Sequence, residues 1–144
     1  MHPDVARFGH IGVLMGGYSS EREISLKSGQ AVYQALKEAG YRVSGLDIPF
    51  REEKKNLSFL KEAKIDLAFI ALHGSLGEDG TIQTILEELA IPYSGSGVEA
   101  SQQAINKIKT QAVLQRENIP VAEHVVIRNG LASEGKDLRR ILRH

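Results

Sequence analysis

The sequence predicts an α/β fold, a parallel sheet with helices on both faces. Three observations carry this prediction. Short apolar runs alternate with helical periodicity four times between His10 and Asn118. Glycine-rich or polar loops follow the apolar runs, at Gly16–Glu21, His73–Gly80 and Ser94–Gly97. The run Leu67-Ala-Phe-Ile-Ala-Leu72 lacks the alternation of a half-exposed strand, as expected where both faces are covered.

Each element has its own signal. His10–Met15 is apolar and ends at glycines, which marks a buried strand. The next segment places Ile24, Ser28, Ala31, Val32, Ala35, Leu36 and Ala39 on one helical face. Ser20 and Glu23 have capping-box spacing, and Gly40 is a natural stop. Tyr41–Ile48 is a second strand, closed by Pro49. Arg51–Asn56 is read as a charged loop, Leu57–Ala63 as a short helix and Ile65–Leu72 as the third strand. Thr81–Leu89 is a helix with Ile82, Ile85, Leu86 and Leu89 inward. Ile91–Ser94 is a fourth short strand, and Ser96 is placed to cap a helix from Val98. Helical pattern runs to Asn118 with a break expected near Asn106. Beyond Ile119-Pro120 a strand is expected over 121–128, a turn at Asn129-Gly130 and a helix from Asp137. Parallel strands need right-handed crossovers, so the architecture is Rossmann-like, and ligands should gather at the C-terminal strand ends.

Composition excludes several classes. The chain of 144 residues carries 18 basic and 18 acidic side chains, so nothing suggests a nucleic acid or an anionic membrane as partner. It has no cysteine, and hence no disulfide framework or thiolate metal site. Residues 1–10 hold no apolar core of a secretory signal. The longest apolar run is far short of the ~18 residues that span a bilayer. A soluble cytoplasmic protein is expected.

The turn Gly16-Gly-Tyr-Ser-Ser-Glu-Arg-Glu23 opens a helix with two acids. It has neither the G-x-G-x-x-G spacing of a dinucleotide site nor the Gly-Lys-Ser/Thr of a phosphate loop. Carboxylates in a first helical turn gain ~0.3–1 kcal/mol from the helix dipole, so Glu21 and Glu23 have a purely structural explanation. The alternative is that Glu23 caps while Glu21 faces the cleft, where it would repel phosphate and attract an ammonium. His73, where a buried strand meets a glycine loop, is either a structural residue or a donor to a ligand. Glu78 and Asp79 cap the following helix, anchor the loop or, less simply, form a two-carboxylate metal site. Lys107 and Lys109 are solvated helix lysines or point charges for a phosphate.

Taken together, several segments resemble the D-alanine–D-alanine ligase family of ATP-grasp enzymes. They are Gly16-Gly-Tyr-Ser-Ser-Glu-Arg-Glu-Ile-Ser-Leu26, Ile70-Ala-Leu-His-Gly-Ser-Leu-Gly-Glu-Asp-Gly-Thr-Ile-Gln83, Ile91-Pro-Tyr-Ser-Gly-Ser-Gly97, Asn106-Lys107 and Ile119-Pro-Val. The resemblance spans about residues 9 to 128. It implies an ATP-dependent ligase that joins two D-alanines through an acyl phosphate for peptidoglycan synthesis in the cell wall. It further implies ATP and Mg²⁺ (or Mn²⁺) as cofactors and a homodimer in the complete enzyme. Glu21 falls on the glutamate that holds the first D-alanine's ammonium, His73 on the histidine near that substrate's carboxylate, and Lys107 on a lysine that contacts ATP phosphates. Residues 1–118 would be the N-terminal substrate-binding domain, preceding the ATP-grasp region, and 119–144 the opening of a truncated central domain. The glycine-rich phosphate loop, the oxyanion-stabilising arginine and the Mg²⁺ ligands of the family are expected further on, so this stretch alone should be inactive. Asn106 stands where the family usually has Asp. Two rival readings remain: a Rossmann-like module that binds a nucleotide or metabolite without chemistry, and an assembly role.

Overall fold

A computed structural model describes residues 5–124, 127–128 and 131–132. Its contacts group the chain into two compact units, Met1–Ile105 and Asn106–His144. In the first, a 3-10 turn over Val5–Phe8 precedes β1 (His10–Gly16), α1 (Arg22–Glu38), β2 (Arg42–Ile48), α2 (Glu53–Ala63), β3 (Leu67–Ile70), α3 (Thr81–Glu88) and α4 (Val98–Ile105). In the second, α5 (Lys107–Arg116) is followed by the short antiparallel pair β4 (Ile127–Arg128) and β5 (Leu131–Ala132).

The sheet is parallel throughout, in the order β2-β1-β3. Val13 of β1 aligns with Gly45 of β2 and with Phe69 of β3. The expected fourth strand is reduced to a single parallel bridge, Ala68 to Tyr93. Proline at 92 has no N–H to extend such a ladder. Its carbonyl does accept from the Ala68 N–H at 2.9 Å.

β1 is the buried centre, and its two faces feed two cores. Leu14 packs with Leu60, Ile82, Ile85 and Leu86 under α2 and α3. Val13 and Met15 face the opposite side, against Leu26, Val32, Tyr33 and Leu36 of α1. Successive strand residues point to opposite faces, which is how helices come to cover both.

Four further expectations are corrected. The buried face of α1 is centred on Ser25 and Gly29, while Ile24 is 61% exposed. Small residues sit there because the helix crosses very close to β1: a Cβ at Gly29 would stand 2.5 Å from that of Met15. Val32 and Leu36 of the expected face do pack on β1, but in the first turns periodicity weighted by hydrophobicity points to Ile24 and passes over the small residues that are buried. The capping box at Ser20 and Glu23 does not form, since Glu21 is the N-cap residue and makes no side-chain cap bond. Instead the Ser19 hydroxyl accepts from the Glu21 N–H at 3.2 Å. The charged stretch 53–56 belongs to α2, anchored by fully buried Asn56, whose amide donates to the Phe50 carbonyl at 3.0 Å. Residues 121–124 carry no strand. The turn expected at Asn129-Gly130 and the helix from Asp137 lie outside the described residues.

The break at Asn106 is present. Asn106 caps α5, its side-chain oxygen accepting from the Lys109 N–H at 3.1 Å. An Asn does this as well as an Asp.

The loop after β3 is held by Asp79, which accepts from the Leu76 N–H at 3.1 Å and the Thr81 N–H at 3.0 Å. Of the roles considered for Glu78 and Asp79, loop anchoring therefore falls to Asp79. The bonds hold Leu76 in a left-handed conformation, φ +82°, with its side chain buried. Such a backbone costs of order 1–3 kcal/mol in a non-glycine residue, and burying a leucine returns ~1.5–3 kcal/mol. Burial works to raise the Asp79 pKa. The bonds from Leu76 and Thr81 outweigh it and leave the carboxyl below its ordinary value.

Two stability effects follow. Gly29→Val should cost ~1–3 kcal/mol through overpacking against Met15, measured by urea unfolding. The same change at outward-facing Gln30 should cost no more than its helix propensity, under about 0.7 kcal/mol. Asp79→Ala should cost about 1–3 kcal/mol at neutral pH, from unpaired backbone donors and lost charged bonds. Because the folded Asp79 pKa is depressed, that difference should be complete above its ordinary value of 3.8 and disappear as pH falls through the lower folded value. Urea titrations of both proteins from neutral to acidic pH test it.

Candidate functional site

The C-terminal ends of β1 and β3 lie side by side because the strands are neighbours in the sheet. The turn after β1 and the loop after β3 therefore face each other. Three serines bind them together. The Ser25 hydroxyl, fully buried, accepts from the Gly16 N–H at 2.9 Å and donates to the Ala71 carbonyl at 2.7 Å. The Ser19 hydroxyl donates to the His73 carbonyl at 3.0 Å. The Ser28 hydroxyl lies 3.1 Å from His73 Nε2.

Glu21, the N-cap residue of α1, turns its carboxylate across this junction onto Gly74. Gly74 has φ +65°, and a Cβ there would collide with Glu21 Oε2. Glycine thus both supplies the left-handed backbone and leaves room for the acid. The Glu21 carboxylate makes no hydrogen bond or ion pair among the described residues. It is a bare acceptor at the mouth of the crevice.

Arg22 is spent otherwise. It grips Asp47 at the end of β2 through two hydrogen bonds of 2.7 and 2.6 Å, and donates to the Gly17 carbonyl at 3.0 Å. The pair neutralises itself, so the neighbouring arginine leaves the Glu21 charge uncompensated. Asp47 raises the Arg22 pKa above its ordinary value, chiefly through these bonds.

His73 lines a cavity of ≈ 530 Å³ with Glu78, Gln83, Ser94, Ser96 and Ser101. Its Nδ1 is 3.8 Å from Glu78 Oε1. Gln83 is buried; its amide donates to the Gly77 carbonyl at 2.8 Å and its side-chain oxygen has no partner among the described residues.

Of the three residues to which the resemblance gives roles, Glu21 and the His73 loop come together in the first compact unit. Lys107 opens α5 in the second unit, where it is exposed. Sequence reading missed Ser19, Ser25 and Gln83 as site-forming residues. Ser19 and Ser25 stand within the quoted turn-and-helix segment, but a serine there has no spacing signal for what its hydroxyl will reach. Among the described residues no three of His, Asp or Glu converge to hold a metal ion, and no helix is long and apolar enough to cross a membrane.

This arrangement has relatives. The chain is 51% identical over 117 residues to the D-alanine–D-alanine ligase of Pelotomaculum thermopropionicum, covering 81% of the chain and 36% of that protein. It is 48% identical over 126 residues to that of Desulforudis audaxviator, covering 88% and 40%. Among solved structures, the Bacillus anthracis D-alanine–D-alanine ligase complexed with ATP matches with a TM-score of 0.76 at 32% identity, over 92% of the chain and 44% of that protein. The chain thus spans about two fifths of the length of the curated relatives it matches. A family model described as the D-ala D-ala ligase N-terminus matches residues 10–54 and 45–96. With the parallel sheet and the crevice it frames, this match places the chain in the family of the D-alanine–D-alanine ligase N-terminal region.

Proposed function

We propose that this chain forms part of the first D-alanine site of a D-alanine–D-alanine ligase. The observation that carries the reading is the unpartnered Glu21 carboxylate against Gly74, across from the His73 loop. A substrate ammonium would complete it with a charge-assisted hydrogen bond. A ring N–H of His73 would then face the substrate's carboxylate. Gripping both ends of a small zwitterion fixes its orientation, and that is a rate contribution through proximity. ATP, when bound, supplies the phosphoryl group that activates the first carboxylate. The amine of a second D-alanine is the nucleophile, so no residue of this chain has to be one. Charge neutralisation and positioning are then the protein's main tools.

Lys107 is the candidate contact for ATP phosphates, exposed at the start of α5. Mg²⁺ is not assigned to the described residues, which gather no ligand cluster. In this reading residues 1–118 make the substrate-binding domain and 119–144 open the ATP-grasp domain. The two compact units divide instead after Ile105, with α5 in the same unit as β4 and β5. The reading places the reaction in the cytoplasm, within peptidoglycan synthesis, in a homodimeric enzyme.

Steady-state kinetics of the complete ligase test it. Glu21→Gln keeps the shape and removes the charge. Loss of one charged hydrogen bond, about 1.5–3 kcal/mol, should raise the KM for the first D-alanine by roughly 10- to 100-fold. An unchanged KM would refute the ammonium role.

A further inference from the structure

The His73 ring is flanked on both sides by groups of this chain, and the two sides are chemically unequal. Nδ1 stands 3.8 Å from Glu78 Oε1. An ionised carboxylate only accepts hydrogen bonds, so it repels a nitrogen lone pair and favours an N–H. Nε2 stands 3.1 Å from the Ser28 hydroxyl, which can donate or accept. The same hydroxyl also lies 3.2 Å from the Ser25 carbonyl. That carbonyl is within the helical ladder of α1 and does not depend on Ser28 for a donor. Glu78 therefore sets the tautomer and Ser28 follows it.

We propose that Ser28 is a positioning residue: its hydroxyl donates to His73 Nε2, holding the neutral ring with its proton on Nδ1, on the Glu78 side. Both His73 and Glu78 line the cavity, so this N–H is the one presented to an incoming carboxylate. At 3.8 Å the Glu78 oxygen is beyond hydrogen-bond range. The Nδ1–H is thus oriented but left without a direct acceptor. Ser28 lies on α1 seven residues after Glu21, so one helix would position both ends of the substrate grip. The substrate half of this statement rests on the ligase reading; the tautomer half does not.

Ring-nitrogen NMR of the 144-residue chain separates the two. At about pH 8 an ordinary imidazole is neutral, and free histidine favours the proton on Nε2. The His73 signals, identified by their loss in His73→Gln, should show the reverse, with Nδ1 protonated. Ser28→Ala removes the donor without changing the helix and should move the population toward Nε2–H. Ser28→Thr, which keeps a hydroxyl, should restore Nδ1–H. A wild-type ring protonated on Nε2, or a Ser28→Ala ring that keeps the wild-type tautomer, overturns the proposal. Failure of the ligase reading would leave this measurement untouched, because no substrate is present.

Discussion

The buried hydroxyl of Ser25 is the tie on which the site depends. It takes the Gly16 N–H at the end of β1 and gives its proton to the Ala71 carbonyl just beyond β3. Both are strand-end groups that the sheet ladder does not satisfy, and an unpaired buried polar group costs about 1–3 kcal/mol. One side chain pairs both and fixes the separation of two loops. The rest of the crevice hangs from that junction: Ser19 on the His73 carbonyl, Ser28 beside its ring, Glu21 across Gly74.

The small residues of α1 serve the same end. Gly29 lets the helix approach Met15, and that approach brings Ser25 down onto the strand ends. A bulkier face would hold the helix off and lengthen the hydroxyl bridge. Close packing and site geometry are therefore one requirement here. The charges are arranged by a similar division. Arg22 is consumed by Asp47, and Asp79 by the backbone of its own loop. Glu21 is left over, an acid with no partner among the described residues at the mouth of the crevice.

Much of the fold was legible because it rests on local chemistry. The buried run at His10–Met15, the helix at Thr81 and the break at Asn106 all stand where the residue pattern puts them. The N-terminal part of α2 was not legible. Its charged residues read as a loop, yet Asn56 is turned inward and fastened to the Phe50 carbonyl. The fourth strand was overread, since Ile91-Pro-Tyr has strand-like residues but only a single bridge partner. Glu21 and His73 were marked as candidates from their positions at strand ends. The serines that position them were not, because a hydroxyl's value depends on which distant carbonyl or N–H it meets.

Taken alone, the sequence determined the α/β class, the alternation of elements and the polar loops at the strand ends. These follow from side-chain periodicity and from glycine and proline chemistry, which act over a few residues. Only the tertiary structure decided which face of α1 is buried, that the first and third strands are neighbours, and that the Glu21 carboxylate meets Gly74. Those depend on contacts between residues some fifty positions apart, such as Ser19 with His73 and Ser25 with Ala71. No local periodicity encodes such a meeting. Sheet order and close packing create it.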